Sequence, residues 1–206
     1  MMERTFSKSK ERYAFVGKRL CIDFVNTRYS PNDAAGALHS WDDLVDFLIA
    51  ARALNRFEAR WLRDMSIKKP EQCAKTFVHS MVLRESLQMI LSAMESGHRI
   101  HPEWVDAINT VLKANEGYEQ LSPRNGDWYL TFMARHPGPM MALMSIAQSA
   151  ADLIKEGKGA QVRKCANPDC LLYFYDVSRT RRRRWCSMAV CGNRMKVAAY
   201  ARRRKP

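Results

Sequence analysis

The sequence predicts a mainly α fold: a helical body with a small β-hairpin, then a compact C-terminal module built around four cysteines. Three observations predict it. Apolar residues recur at helical spacing through most of residues 41–155, the dipeptide Asn125-Gly126 precedes an alternating run, and Cys165, Cys170, Cys186 and Cys191 fall within 27 residues. Gly157-Lys158-Gly159 divides the chain into a body, residues 1–159, and a module, residues 160–206.

In chain order, residues 1–12 are polar and read as frayed. The apolar segment 15–27 fits two elements. Leu20, Ile22 and Phe24 alternate as in a strand, whereas Leu20, Phe24 and Thr27 share a helical face. Residues 28–40, with Pro31-Asn32-Asp33, read as loop. Ser40 caps a helix starting at Trp41, with Asp42 and Asp43 in its first turn. Leu44, Phe47, Leu48, Ala51, Leu54 and Phe57 carry its stripe, which extends the helix as far as Met65. Pro70 suits a first helical position and Gly97 a left-handed C-terminal one, bounding a long helix. Pro102 opens a shorter helix ending near Gly117. Asn125-Gly126 turns a hairpin in which Trp128, Leu130 and Phe132 alternate. After the break at His136-Pro137-Gly138-Pro139, residues 140–155 form the last body helix.

The chain has 206 residues and a formal charge of +13, with 47% hydrophobic residues, so it is neither a disordered basic tail nor a fibrous protein. No apolar stretch approaches a membrane span, and the N-terminus lacks the apolar core of a signal peptide; a cytoplasmic location without membrane contact is expected. The charge is uneven. Residues 161–206 carry thirteen Lys and Arg against Asp169 and Asp176, a net +11, whereas the body is nearly neutral. Such asymmetry points to a polyanionic partner; the alternative is a solvated face. The body carries no P-loop, dinucleotide fingerprint or nucleophile elbow, and His98 and His101 straddle a loop rather than share a metal. Asp23, Asn26 and Arg28 form a compact polar set. They are candidates to line a small-molecule pocket, or equally to tie down backbone or solvate an edge.

Cys21 and Cys73 read as buried structural thiols. The other four form two pairs, each with four intervening residues and 15 residues between the pairs, at the wide end of structural zinc spacing. Asn167-Pro168-Asp169 supplies turn chemistry within the first pair. A basic module this small lacks the apolar mass for its own core, and a metal compensates. Residues 172–175 read as a strand, 179–184 as a loop or return arm, and 191–204 as a helix starting at the second pair, an arrangement like a treble clef. Four thiolates close the zinc sphere, leaving no water position for catalysis.

The candidate nucleic-acid contacts are Arg179, Arg181, Arg182, Arg183 and Arg184 in the loop, and Asn193, Arg194, Lys196, Arg202, Arg203, Arg204 and Lys205 on the final helix and tail. Arginine contacts phosphate and reads base edges, and the sequence does not separate the two roles. Trp185 and Phe174 fit a mini-core; Tyr173 and Tyr175 point opposite to Phe174 and are candidate surface contacts.

Trp185-Cys186-Ser187 followed by Cys191-Gly192-Asn193-Arg194 resembles the CGNR zinc-finger family. The body, through residues 20–27 and 149–153, resembles the ABATE domain usually joined to that finger. The resemblance implies a bacterial stress-induced transcription regulator, zinc on Cys165, Cys170, Cys186 and Cys191, and DNA contact near Gly192-Asn193-Arg194. The chain departs from the familiar pattern at Leu171-Leu172, which alters local packing but not ligation, and its loop is unusually uniform in arginine.

The leading expectation is a zinc-dependent DNA-binding regulator, not an enzyme, whose body binds an effector, a partner or a second copy. A single finger covers little DNA, so a homodimer helps affinity. The alternatives are an RNA-binding or ribosome-associated protein, and an enzyme with a pocket in the body.

Overall fold

The computed structural model describes residues 12–30, 36–114 and 116–203. Pro31-Asn32-Asp33, most of the polar N-terminal segment, Arg204 and Lys205 lie outside the described residues, as do the side chains of Arg202 and Arg203.

The ambiguous N-terminal segment is a helix, α1, Leu20–Asn26. Cys21, Ile22, Phe24, Val25 and Asn26 are all buried in it. A helix covered on nearly every side shows no single apolar stripe, which is why its sequence also fits a strand. Ser149 Oγ accepts from the Cys21 backbone N–H at 3.2 Å, tying α1 to the last body helix.

Helix α2, Trp41–Ala50, is capped by Ser40 Oγ, which accepts from the Asp43 N–H. It does not continue to Met65 as its stripe predicts. Arg52 takes a left-handed φ of 58°, and a new helix, α3, Arg56–Lys68, starts behind a capping box. Asn55 Oδ1 accepts from the Glu58 N–H at 2.9 Å, and Glu58 Oε2 accepts from the Asn55 N–H at 2.8 Å. The bend leaves Phe57 78% exposed, outside the stripe to which its spacing assigns it.

Helix α4, Pro70–Ser96, begins at its proline and ends where Gly97 adopts φ 72° and returns its N–H to the last turn. Helix α5, Pro102–Lys113, leads to a hairpin of β1, Gly117–Arg124, and β2, Asp127–Ala134. Asn125 and Gly126 both have positive φ, 52° and 88°, the type I′ geometry that matches strand twist. The chain then makes a 3₁₀ turn, Pro139–Leu143, before α6, Met144–Lys155; the sequence merges these into one helix. Phe24, Phe47, Leu44, Leu48, Leu83, Leu87, Ile146 and Leu153 lie in the common core.

In the C-terminal module, β3, Val162–Lys164, pairs antiparallel with β4, Tyr173–Tyr175, in the register Val162↔Tyr175. The partner of β4 is therefore the segment before the first cysteine pair. The arginine loop is not the return arm. Strand alternation gives β4 two faces. Phe174 turns into the cysteine cluster, where it is fully buried. Tyr173 and Tyr175 turn toward the helical body, which corrects their reading as surface contacts. Tyr173 is buried in the body core, with Tyr175 packed against it.

Asn26 welds the two parts together. Its Nδ2 donates to the Tyr173 carbonyl and its Oδ1 accepts from the Tyr173 N–H, both at 2.9 Å. One side-chain amide thus gives β4 the pair of bonds a neighbouring strand would give. The Tyr175 N–H donates to the Gly17 carbonyl at 2.9 Å. Its hydroxyl donates to Glu156 at 2.5 Å, and the Arg19 guanidinium lies over its ring.

Candidate metal centre and cationic face

Cys165 follows β3, Cys170 precedes β4, Cys186 stands just before a π-helical turn, Met188–Gly192, and Cys191 lies within that turn, which runs into α7, Asn193–Arg203. Local chemistry sets this path. Asn167 Oδ1 accepts from the Asp169 N–H at 3.3 Å, and the Asn167 carbonyl accepts from the Cys170 N–H at 2.9 Å, closing the first knuckle. Ser187 Oγ accepts from the Val190 N–H and caps the second. Gly192 is buried, and a Cβ there would lie 2.6 Å from Met188 Sδ and 3.2 Å from the Trp185 ring. A larger residue there would have to displace the Met188 side chain and press on the Trp185 ring.

The four buried Sγ atoms lie within 4.8 Å of one another. Cys186 Sγ is 3.8 Å from Cys170 Sγ and 3.6 Å from Cys191 Sγ. A tetrahedron with Zn–S bonds of about 2.3 Å has edges of about 3.8 Å, so the cluster has the size zinc requires. These separations are far beyond a disulfide bond. Hydrogen bonding from Cys186 holds the Cys170 thiol below its usual value, and the same bond, with burial, pushes Cys186 up. Outer donors complete the site. The Cys186 N–H donates to Cys165 Sγ at 3.4 Å, and Asn167 Nδ2 to Cys191 Sγ at 3.6 Å. Cys21 and Cys73 are buried free thiols well outside this group.

The arginine loop folds around Asp176. This buried carboxylate accepts from the Ser178 and Arg183 N–H groups, each at 2.9 Å, and faces Arg163 at 3.6 Å. Burial opposes its charge, but these bonds prevail and hold its carboxyl below the usual value. Arg183 turns inward. Its Nε donates to the Trp185 carbonyl at 2.9 Å, its NH2 donates to the Cys186 carbonyl, and its guanidinium covers the Phe174 ring at 4.3 Å. The sequence makes Arg183 a nucleic-acid candidate like its neighbours; in the structure its guanidinium braces the second knuckle. Arg179, Arg181, Arg182 and Arg184 are exposed, as are Asn193, Arg194 and Lys196 on α7. Arg184 lies over the Trp185 ring, and Trp185 packs against the cysteine cluster.

Asp23, Asn26 and Arg28 have separate protein partners. Asp23 Oδ1 accepts from the Gly17 N–H at 2.7 Å, and burial pushes its carboxyl up to about 6. Asn26 holds β4, and Arg28 pairs with Glu85. Spacing did not reveal the structural roles of Asp176 and Arg183. Asn167 was visible as a turn former, but not as a donor to sulfur.

A β-knuckle and a helix start, each presenting two thiols to one tetrahedral site, define a zinc-binding finger docked on a helical body. The chain belongs to the ABATE family, whose model, described as "Putative stress-induced transcription regulator", matches residues 18–157. Residues 161–204 match the CGNR zinc finger. No curated protein matches the chain. Among the described residues, no helix is long and apolar enough to cross a membrane.

Proposed function

We propose that this zinc-binding regulator acts by binding duplex DNA through the finger, in the cytoplasm of a bacterium and in response to stress. One observation carries the reading. Arg179, Arg181, Arg182, Arg184, Arg194 and Lys196 are exposed on a single zinc-tied module. Of its two carboxylates, Asp176 is buried, leaving Asp169 as the exposed one. The arrangement suits phosphate, with Arg194 and Asn193 at the start of α7 as base-edge candidates.

Zinc would be held by Cys165, Cys170, Cys186 and Cys191 in a structural role, joining the arginine loop to α7. The body would then serve as the effector-binding or assembly part rather than as an enzyme, with Asn26 transmitting its state to β4. RNA is the weaker reading. Tyr173 and Phe174 are buried, Trp185 is half-buried against the cysteine cluster, and Tyr200 is the exposed aromatic among the described finger residues. Unpaired bases would find little stacking surface.

The test is a salt titration of the zinc-loaded protein on duplex DNA, single-stranded DNA and RNA pools. Duplex DNA is expected to bind tightest, with Arg182→Ala flattening the slope by about 0.9. Arg194→Ala is expected to lose roughly 1–3 kcal/mol on a preferred sequence and less on others. Preference for RNA, or a slope unmoved by Arg182→Ala, would overturn the proposal.

A further inference from the structure

The hairpin β1–β2 is a two-stranded sheet on its own, and both of its faces are largely exposed. Its register places Pro123, Trp128, Leu121, Leu130 and Phe132 on one face. Trp128, Leu130 and Leu121 are 62–69% exposed and Phe132 is 45% exposed. Such a hairpin is marginally stable in water by itself.

Its two edges differ. The two-residue turn makes Arg124↔Asp127 a hydrogen-bonded pair, and such pairs alternate down the ladder to the Arg135 N–H bond with the Glu116 carbonyl. The backbone groups of Trp128, Leu130, Phe132 and Ala134 therefore point outward from β2, and those of Glu119, Leu121 and Pro123 outward from β1. The β1 edge is guarded, since Pro123 has no N–H to offer and Glu119 places a charge there. Residues 128–134 of β2 contain neither proline nor charge.

We propose that a second copy of this chain pairs antiparallel along the open edge of β2, making a four-stranded sheet about a two-fold axis at Thr131. The strand is self-complementary in that register. Asp127 faces Arg135 of the other copy at both ends, Leu130 lies beside Phe132, and Tyr129 beside Met133. The guarded β1 edges end the sheet at four strands, so the assembly closes as a dimer. The two cationic fingers are then related by a two-fold axis, the symmetry of a palindromic DNA site.

The experiment uses the full, zinc-loaded chain. In this register Thr131 faces its own copy in a non-hydrogen-bonded pair, where Cα atoms lie about 4.5 Å apart, within disulfide reach. Thr131→Cys is expected to form a disulfide-linked dimer under mild oxidation. Gln120→Cys, opposite Thr131 on the guarded strand, is expected not to. Sedimentation of the native chain is expected to show a monomer–dimer equilibrium. Leu130→Pro, which removes only an outward N–H from the hairpin, is expected to weaken it roughly tenfold or more, through one lost bond in each copy. Circular dichroism and zinc content check that this variant folds. A native chain that stays monomeric and is not trapped by Thr131→Cys would overturn the proposal. So would a dimer untouched by Leu130→Pro and untrapped at Thr131, cross-linking through Gln120→Cys instead, or open-ended oligomers.

Discussion

Replacing Asn26 with Leu removes both bonds between α1 and β4 while roughly preserving side-chain volume. Asn26 is 3% exposed and Tyr173 7%, so water does not readily replace what is lost. The Tyr173 N–H and carbonyl are then buried without partners, at a cost of about 1–3 kcal/mol each. The sum is about 2–6 kcal/mol. For a chain of 206 residues, each kcal/mol shifts the melting temperature by about 2–4 °C, so a fall of about 10 °C is expected. Asn26→Asp keeps the acceptor, loses the donor and buries a charge, and is expected to fall further. The assay is thermal melting of zinc-loaded protein, with zinc content measured in each variant and hydrogen exchange followed at the Tyr173 amide. Zinc is expected to stay bound while that amide loses protection. A shift below about 1 °C with full protection would show that Asn26 does not hold the finger on the body.

Four further outcomes are expected. Elemental analysis after mild purification is expected to find one zinc per chain, with Cys191→Ser losing it; four freely titrating thiols in the native protein would refute the metal site. A fragment of residues 1–159, the proposed body, is expected to remain helical by circular dichroism but to melt below the full chain. It lacks Val162 and Tyr173 from its core, at about 1.5–3 kcal/mol for each large apolar side chain, and an unchanged melting temperature would make the finger an energetic bystander. Asp23 has a folded-state carboxyl raised from 3.8 to about 6, so between these values the native state binds more protons than the unfolded one. Its stability contribution is therefore present below about pH 4 and lost as pH rises through about 6, a loss on the order of 2–3 kcal/mol, and Asp23→Asn is expected to remove that part of the pH slope. Equal slopes in both proteins would sink this assignment. Arg183 and Arg182, adjacent in sequence, are expected to give opposite phenotypes.

Local chemistry made much of the fold legible. Pro70, Gly97 and Asn125-Gly126 set their elements through φ preferences that act within a few residues, and the cysteine spacing marked the metal site. The break between α2 and α3 was written in Asn55 and Glu58, but the apolar spacing runs across it, because Leu54 still packs against the core. Periodicity thus concealed a boundary that capping chemistry marks. Tyr173 and Tyr175 failed differently. Alternation shows that a strand has two unlike faces, but not which distant surface covers each one. Asn26 carries the same lesson. Its partner lies 147 residues away, so a polar side chain in an apolar segment reads equally as a ligand group or a backbone clamp.

The arginine run shows most clearly how identical residues acquire different work. Four thiolates around one zinc ion leave a net charge of −2, which buried surroundings do not screen. N–H donors from Cys186 and Asn167 reach two of the sulfurs. Arg183 brings a full positive charge beside this group by binding the carbonyls of Trp185 and Cys186. Asp176 fixes its position by accepting the Arg183 N–H. Arg182 is exposed one residue away. Arg183→Ala is therefore expected to speed zinc loss to a chelator, and Arg183→Lys to rescue it poorly, because an ammonium cannot cover Phe174 and reach both carbonyls as a planar fork. Arg182→Ala is expected to retain zinc at the native rate while flattening the salt dependence of DNA binding. Native zinc retention in Arg183→Ala, together with a flattened slope like that of Arg182→Ala, would place both guanidinium groups on the phosphate face and refute the inward role.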